Sequence, residues 1–341
     1  MKKRILAVLI ATALAVSVTG CAGNATSSSD STSASSVAES SDTSTQTSAD
    51  ASSEDESKDE SSQEESKDLE ANYTKYTLDG DLTQHMIDMS RLNEGNKVRL
   101  ANVIKKLKNG EEVTVGFIGG SITQGTSAGN DLCYAKLTAD WLQKTYSNAK
   151  INYVNAGIGA TGSYIGVHRV ANDLLSKNPD LVFVEFSVND TTENTERNKK
   201  SYDGLLRTIW KSSTNPAIIT IATTQEDGTS FQDQHAEIVK HYDLPMISYR
   251  NTILDTIKHG DIVWKDISDD NIHPNVPGHK IVSQLLQAYI SDVDKDVDNI
   301  SGSESDFTTP ATDAPIENGS LIQPSSCLLY TSPSPRDSTS S

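Results

Sequence analysis

Ser121 stands in Gly119-Gly120-Ser121-Ile122, at the exit of the apolar run Val113 to Ile118, and Asp270-Asn271-Ile272-His273 answers it far downstream. A serine hydroxyl is a poor nucleophile at neutral pH. It becomes a good one when an imidazole takes its proton and a carboxylate orients that imidazole. These residue types therefore point to an activated-serine hydrolase. An Asp and a His three apart, in a turn ahead of a helix, can both face the serine without a separate element for the acid. Asp269 is a rival, but Asp270 alone has the Asp-x-x-His spacing. Asn189, behind the run Leu181 to Phe186, also has a chemical use. Acyl transfer passes through a tetrahedral oxyanion, and losing one preorganised donor costs on the order of 100- to 1,000-fold in rate.

Taken singly, each motif has a plainer reading. GGSITQG could be a turn whose amides hold a phosphate, although it lacks the Lys of a Walker loop. Asn189-Asp190 alone fits a turn or a helix cap. His168, His235, His241 and His259 lie in helix-like segments and read as surface or packing residues, with His279 at the start of the last helix. No pair has metal-ligand spacing, so neither a metal nor a cofactor is expected. Trp141 and Trp210 fall at amphipathic-helix positions and read as core, whereas Trp264, in a loop near the Asp-His turn, is the better candidate for lining a cleft.

The elements that must position these groups follow from patterning. Continuously apolar runs at 113–118, 151–155, 181–186, 217–223 and 245–248 read as strands covered on both faces, hence a parallel sheet. Helical segments are expected near 97–108, 133–146, 164–176, 199–212, 230–241, 252–258 and 276–291. This alternation predicts a three-layer α/β/α sandwich with a five-stranded parallel sheet, in which ligands bind beyond the carboxyl ends of the strands.

Four blocks lie at those ends: GGSITQG, then Asn155 to Ser163, then Ser187-Val188-Asn189-Asp190, then DNIHPN. Their order and spacing resemble the SGNH (GDSL-like) hydrolases over roughly residues 113 to 290, and the wording is similar to that of carbohydrate acetylesterases. The resemblance implies Ser121 as nucleophile, His273 as general base and then acid, and Asp270 as its orienting acid. It also implies an oxyanion hole from the backbone N–H of Ser121, the side-chain amide of Asn189, and a backbone N–H of Gly159 or Ala160. Three positions depart from the family pattern: Gly120 replaces its Asp, Ser187 its third-block Gly, and Ala160 its second-block Gly. None removes a reacting group.

The ends of the chain carry different signals. Lys2-Lys3-Arg4, an apolar run to Val18 and Val18-Thr19-Gly20-Cys21 read as a signal peptide over residues 1–21, resembling a bacterial lipoprotein signal with Cys21 as the lipidated residue. Residues 22–70 hold 13 acids against 2 lysines and read as a disordered acidic, Ser-rich tether, so most of the net charge of −18 lies outside the fold. The hydrolase domain is expected over 71–298. Residues 299–326 read as a linker or the start of a second module. Residues 327–341, with CLLYTSPSPRD from Cys327 to Asp337, look like the in-frame translation of a sequencing adapter. Only Cys133 then remains in the fold, so no disulfide is expected there.

The expectation is a surface-anchored serine esterase that removes a small acyl group, acetyl, from a carbohydrate. Its partners would be an acylated carbohydrate or other small ester and, through Cys21, the bacterial cell membrane. No basic stripe exists for nucleic acid. Two other readings stay open: a lysophospholipase or thioesterase-like hydrolase, and a non-catalytic glycan-binding lipoprotein.

Overall fold

A computed structural model describes residues 73–320 apart from 79, 192, 193 and 318. Its sheet contains β1 (Arg91–Asn93), β2 (Glu112–Gly119), β3 (Lys150–Gly157), β4 (Leu181–Glu185), β5 (Ala217–Ala222) and β6 (Met246–Ser248), in the spatial order β1-β6-β5-β4-β2-β3. The five expected strands are parallel, and β1 adds a sixth, antiparallel to β6. The expected count of five is corrected to six. Arg91-Leu92-Asn93 has no apolar run to announce it, and its place comes from pairing with β6.

The helices are α1 (Gln84–Ser90), α2 (Val98–Lys108), α3 (Ser121–Gln124), α4 (Tyr134–Thr145), α5 (Ser163–Asp173), α6 (Thr195–Trp210), α7 (Gln232–His241), α8 (Tyr249–Lys258), α9 (Trp264–Ile267) and α10 (Val276–Lys295). Side chains alternate across each strand, and both faces find cover. Val113, Val115, Phe117, Leu181 and Phe183 join the core beneath α2, α4 and α10, while Ile118, Val182 and Val184 join that beneath α5, α6 and α7. Phe117 stacks on Phe183 with ring centroids 4.6 Å apart. Truncating such a fully buried ring to Ala costs about 3–5 kcal/mol, so the two strands that carry the site are rigidly seated.

Strand order reverses around β2, because the chain places β3 on one side of it and then crosses to β4 on the other. At such a switch point the loops leaving the strands diverge and open a crevice. Arg169 of α5 fixes the crevice floor: its buried guanidinium donates to the carbonyls of Gly119 at 2.9 Å and Ala156 at 2.5 Å, tying the ends of β2 and β3 together.

Residues 303–317, within the stretch read from sequence as a linker or new module, start against α2, where Glu304 pairs with Arg99, and continue along α6 and the end of α7. Phe307 is buried and stacks on Trp210 and Tyr242, Asp203 accepts from the N–H and hydroxyl of Thr312, and Glu317 pairs with Arg207 and Lys211. Residues 1–72 and 321–341, with the expected signal, Cys21, the whole of the tether and the adapter-like tail, lie outside the described residues. Among the described residues no helix is long and apolar enough to cross a membrane.

Candidate active site

β2 ends at Gly119, and after Gly120 the chain turns at once into α3, which carries Ser121 at its first position and ends at Gly125 with φ of 101°. This left-handed exit suits glycine. Tight turning on both sides of Ser121 leaves its hydroxyl projecting into the crevice, where His273 Nε2 lies 2.9 Å away. His273 Nδ1 lies 2.8 Å from Asp270 Oδ2. Asp270 Oδ1 accepts from the backbone N–H of Ile272 at 2.7 Å and of His273 at 2.6 Å. Burial alone would raise the Asp270 carboxyl, but these N–H donors and the His273 ring outweigh it and hold the group below the usual carboxylate range. Asp270 therefore stays ionised beside the imidazole.

The turn holding this pair is braced from behind. The buried hydroxyl of Ser268 lies 2.8 Å from the Asp270 carbonyl and 2.6 Å from that of His273, and the Trp264 indole N–H donates to the Asp270 carbonyl at 2.6 Å. Ser268 and Pro274 form a β-bridge, after which Asn275 caps α10 by accepting from the N–H of Gly278 at 3.2 Å. Gly278 permits the close packing of α10 on α9, since a Cβ there would lie 2.3 Å from the Ile267 carbonyl.

The reading of Trp264 as a loop residue lining the cleft is corrected: it opens α9, its ring is buried in the core, and it acts on the site from beneath through its N–H. Asp266, whose carboxylate accepts from the Val263 N–H at 2.9 Å, starts that short helix. Asp269 contacts only Asn275 among the hydrogen bonds described, at 3.4 Å. His279, the other histidine near the turn, is buried, and its Nδ1 accepts from the Tyr134 N–H at 3.1 Å. Burial, opposed by the Thr126 backbone and reinforced by His273, lowers it to about 4. It remains neutral and occupied.

Asn189 lies beside Gly120, the residue before Ser121. Its side-chain oxygen lies so near Gly120 that a Cβ at that position would be 2.0 Å from it. Gly120, where the family pattern has Asp, therefore makes room for Asn189. Gly159 also faces Ser121: a Cβ on it would lie 3.8 Å from Ser121 Cβ. Its N–H donates to Gln124 Oε1 at 2.9 Å. Ala160 has φ of 56°, the left-handed conformation that explains a glycine at this position elsewhere in the family pattern. The Gly159 N–H is thus already taken by the Gln124 carboxamide, which an oxyanion would have to displace.

Two buried groups escaped sequence reasoning. Asp190 accepts from the Ser163 N–H at 2.8 Å, at the start of α5, and lies 2.9 Å from His235 Nε2, which fixes the Asn189 turn to two helices. Glu185, at the end of β4, is buried among Thr123, Ser187 and Thr223, where burial outweighs the hydrogen bonds and raises its carboxyl to about 7. Ser187, in place of the family's glycine, accepts from the Thr223 N–H at 2.7 Å and so stitches β4 to β5. Only burial of the preceding apolar run hinted at either acid.

A serine hydroxyl, an imidazole and a carboxylate thus stand in series at the switch point of a mostly parallel α/β sheet, an arrangement consistent with the SGNH hydrolase fold. Residues 117–281, a stretch that contains Ser121, Asn189, Asp270 and His273, match the GDSL-like Lipase/Acylhydrolase family. Two crystal structures of a two-domain esterase active on acetylated mannans, one co-crystallized with mannopentaose, are 38% identical to it over 66% of this chain, with TM-scores of 0.62 and 0.64. This chain covers 60% and 61% of the length of those two. An acetylxylan esterase from Geobacillus stearothermophilus aligns at 20% identity, over 52% of this chain and 94% of its own, with a TM-score of 0.45. No curated protein matches the chain.

Proposed function

We propose that the domain is a serine esterase that removes acetyl groups from a carbohydrate, mannan being the first substrate to try. The observation that carries the reading is the continuous relay from Ser121 Oγ through His273 to Asp270, at 2.9 and 2.8 Å. His273 Nε2 takes the Ser121 proton as the oxygen attacks the acetyl carbonyl. The oxyanion is held by the Ser121 N–H, the Asn189 amide and the N–H of Gly159 or Ala160. His273 then protonates the departing sugar oxygen, leaving acetyl on Ser121. In the second half His273 deprotonates water, which attacks that ester and releases acetate, and the proton returns to Ser121. Asp270 remains a carboxylate throughout and stabilises the imidazolium.

The small-acyl, sugar-directed reading draws support from the 38% identical mannan esterase and from the lining of the adjoining cavity. That cavity, of about 370 Å³, is bounded by Gln124, Asn130, Tyr153, Asn155 and Gly157. Amides and a phenol suit hydroxyl-rich ligands better than an alkyl chain. A long-chain acyl hydrolase is the second reading, favoured by the exposure of Ile158, within the second block, and of Val276, just after the fourth. Export and lipid anchoring through Cys21 are proposed from the amino-terminal sequence alone.

The test is a panel of p-nitrophenyl esters from acetate to palmitate beside acetylated mannan and xylan, with Ser121→Ala as control. Acetate should be the preferred acyl group, and Ser121→Ala should be inert while melting like the parent. Preference for long chains would transfer the assignment to the second reading. Silence of the folded parent on every ester would leave glycan binding.

A further inference from the structure

His85 and Asp255 lie 170 residues apart in sequence, yet His85 Nε2 is 2.6 Å from Asp255 Oδ2. The same carboxylate oxygen is 3.2 Å from His259 Nδ1. One donor atom from each of the three residues lies within 4.8 Å of the others. The folding of the chain explains the meeting. Asp255 and His259 are one turn apart at the end of α8, on the same side of it. His85 sits in the first turn of α1, which starts at the Thr83 cap and packs along α8, where Thr252 Oγ1 donates to the Met86 carbonyl at 3.2 Å. Tyr73 roofs the group: its ring stacks on His259 with centroids 4.1 Å apart and meets the His85 ring edge-on at 5.3 Å, while its hydroxyl donates to Asp261. The His85 side chain is 4% exposed and those of Asp255 and His259 are 14% and 18% exposed, so the cluster is sheltered but reachable from water.

We propose that His85, Asp255 and His259 form a binding site for one zinc-class divalent transition metal ion. Two imidazoles and one carboxylate are a borderline donor set, suited to zinc, nickel or cobalt and unsuited to calcium or magnesium, which take oxygen ligands. Three protein ligands leave a fourth tetrahedral position for water or another oxygen donor. Bonds of about 2.0–2.1 Å to a tetrahedral ion set neighbouring donors roughly 3.3 Å apart. The two contacts at 2.6 and 3.2 Å would thus open by less than the width of an atom to admit the ion, and His259 Nδ1 would exchange its 2.9 Å contact with the Asp255 backbone carbonyl for the metal. The bound ion would tie residues 73–90 to α8 and to the turn that leads into α9, and so to Trp264 beneath the Asp270 carbonyl. Its effect is on stability, away from the reacting atoms.

Untagged full chain, stripped with a chelator and dialysed, is titrated with zinc chloride by calorimetry and followed by thermal melting, with magnesium and calcium chloride as controls. One zinc should bind per chain. At a hundredfold excess over Kd the melting temperature should rise by about 5–10 °C. Magnesium and calcium should do neither. His85→Gln and His259→Gln each keep a hydrogen-bonding side chain of similar size, and each should weaken zinc binding about tenfold or more and remove the thermal shift. Asp255→Asn should behave alike. Cobalt(II) loaded into the parent should give visible absorption bands that the variants lack. No zinc uptake by the parent, or equal uptake by parent and both histidine variants, would overturn the proposal and leave a hydrogen-bonded clasp.

Discussion

Substituting Gly120 by Ala isolates the contribution of Asn189 without touching it. The backbone at Gly120 has φ of −87°, so Ala brings no left-handed strain. Its Cβ would instead lie 2.0 Å from Asn189 Oδ1 and 2.8 Å from Asn189 Cγ. Ordinary heavy-atom contacts begin near 3.5 Å, so the carboxamide must retreat by roughly 1 Å or more. A displacement of that size costs about 100-fold in rate, and complete loss of one oxyanion donor costs about 2.7–4 kcal/mol of transition-state stabilisation. The expected outcome is a kcat on p-nitrophenyl acetate lowered about 100-fold with KM little changed, because the donor acts on charge present only in the transition state. Overpacking of this kind costs about 1–3 kcal/mol, so the melting temperature should fall only by several degrees. Asn189→Ala should show a comparable kcat loss, and the double variant should be no slower than Asn189→Ala, since both changes remove the same donor. Wild-type kcat in a folded Gly120→Ala protein, or losses that multiply in the double variant, would refute the assignment of Asn189 to the oxyanion.

His273→Ala should abolish turnover, whereas Asp270→Asn should retain a measurable residue, and the double variant should match His273→Ala because Asp270 acts through the imidazole; multiplicative losses in steady-state kinetics would argue against that order of action. Glu185, raised to about 7 in the fold, stands near 4.3 in an unfolded chain. The folded state therefore keeps a proton that the unfolded state has lost between those values, and stability falls as pH rises through that window and levels off above about 7. The stability advantage of Glu185→Gln over the parent, measured by urea unfolding, should consequently grow by roughly 2–4 kcal/mol between the low and high ends of the window, and a constant difference would show that the carboxyl is not held protonated. Gly204→Ala should lift residues 303–317 from α6, since its Cβ would lie 1.8 Å from the Ile316 carbonyl; a lower melting temperature with unaltered esterase kinetics is expected, and an unchanged melting curve would mean that this segment adds nothing to stability.

The parallel strands could be read from sequence because both of their faces are buried: Val113 to Ile118 and Leu181 to Phe186 are apolar without interruption. β1 was not legible, because Arg91, Leu92 and Asn93 are shaped by a partner more than 150 residues away. α3 and α9 are four residues each, too short for a helical period to register, and their boundaries are set by Gly125 and by Asp266. Trp264 was misplaced for this reason, since a one-turn helix in a polar stretch reads as loop. In the candidate site, Ser121, Asp270 and His273 were legible because residue chemistry and Asp-x-x-His spacing constrain them locally. The hydrogen bond from Gly159 to Gln124 and the fit of Asn189 against Gly120 were not, because each depends on sub-ångström packing between loops from different strands. The meeting of His85 with His259 is equally invisible, since nothing near either residue announces the other.

Asp270 and His273 belong to one short turn, braced by Ser268 and Trp264 and continuous with α10, whereas Ser121 belongs to the sheet. Acid and base thus travel together as a rigid cassette, and the relay has one soft coordinate, the gap between that cassette and β2. Its seating depends on contacts such as Tyr134 N–H to His279 Nδ1 at 3.1 Å and Thr138 to Ser283 at 2.9 Å, which join α4 to α10. Loosening those contacts would lengthen the Ser121–His273 distance before it opened the His273–Asp270 bond. The imidazole then keeps its tautomer and its aim. A relay built this way would be interrupted at a single contact and restored by reseating the cassette, with no proton to rearrange.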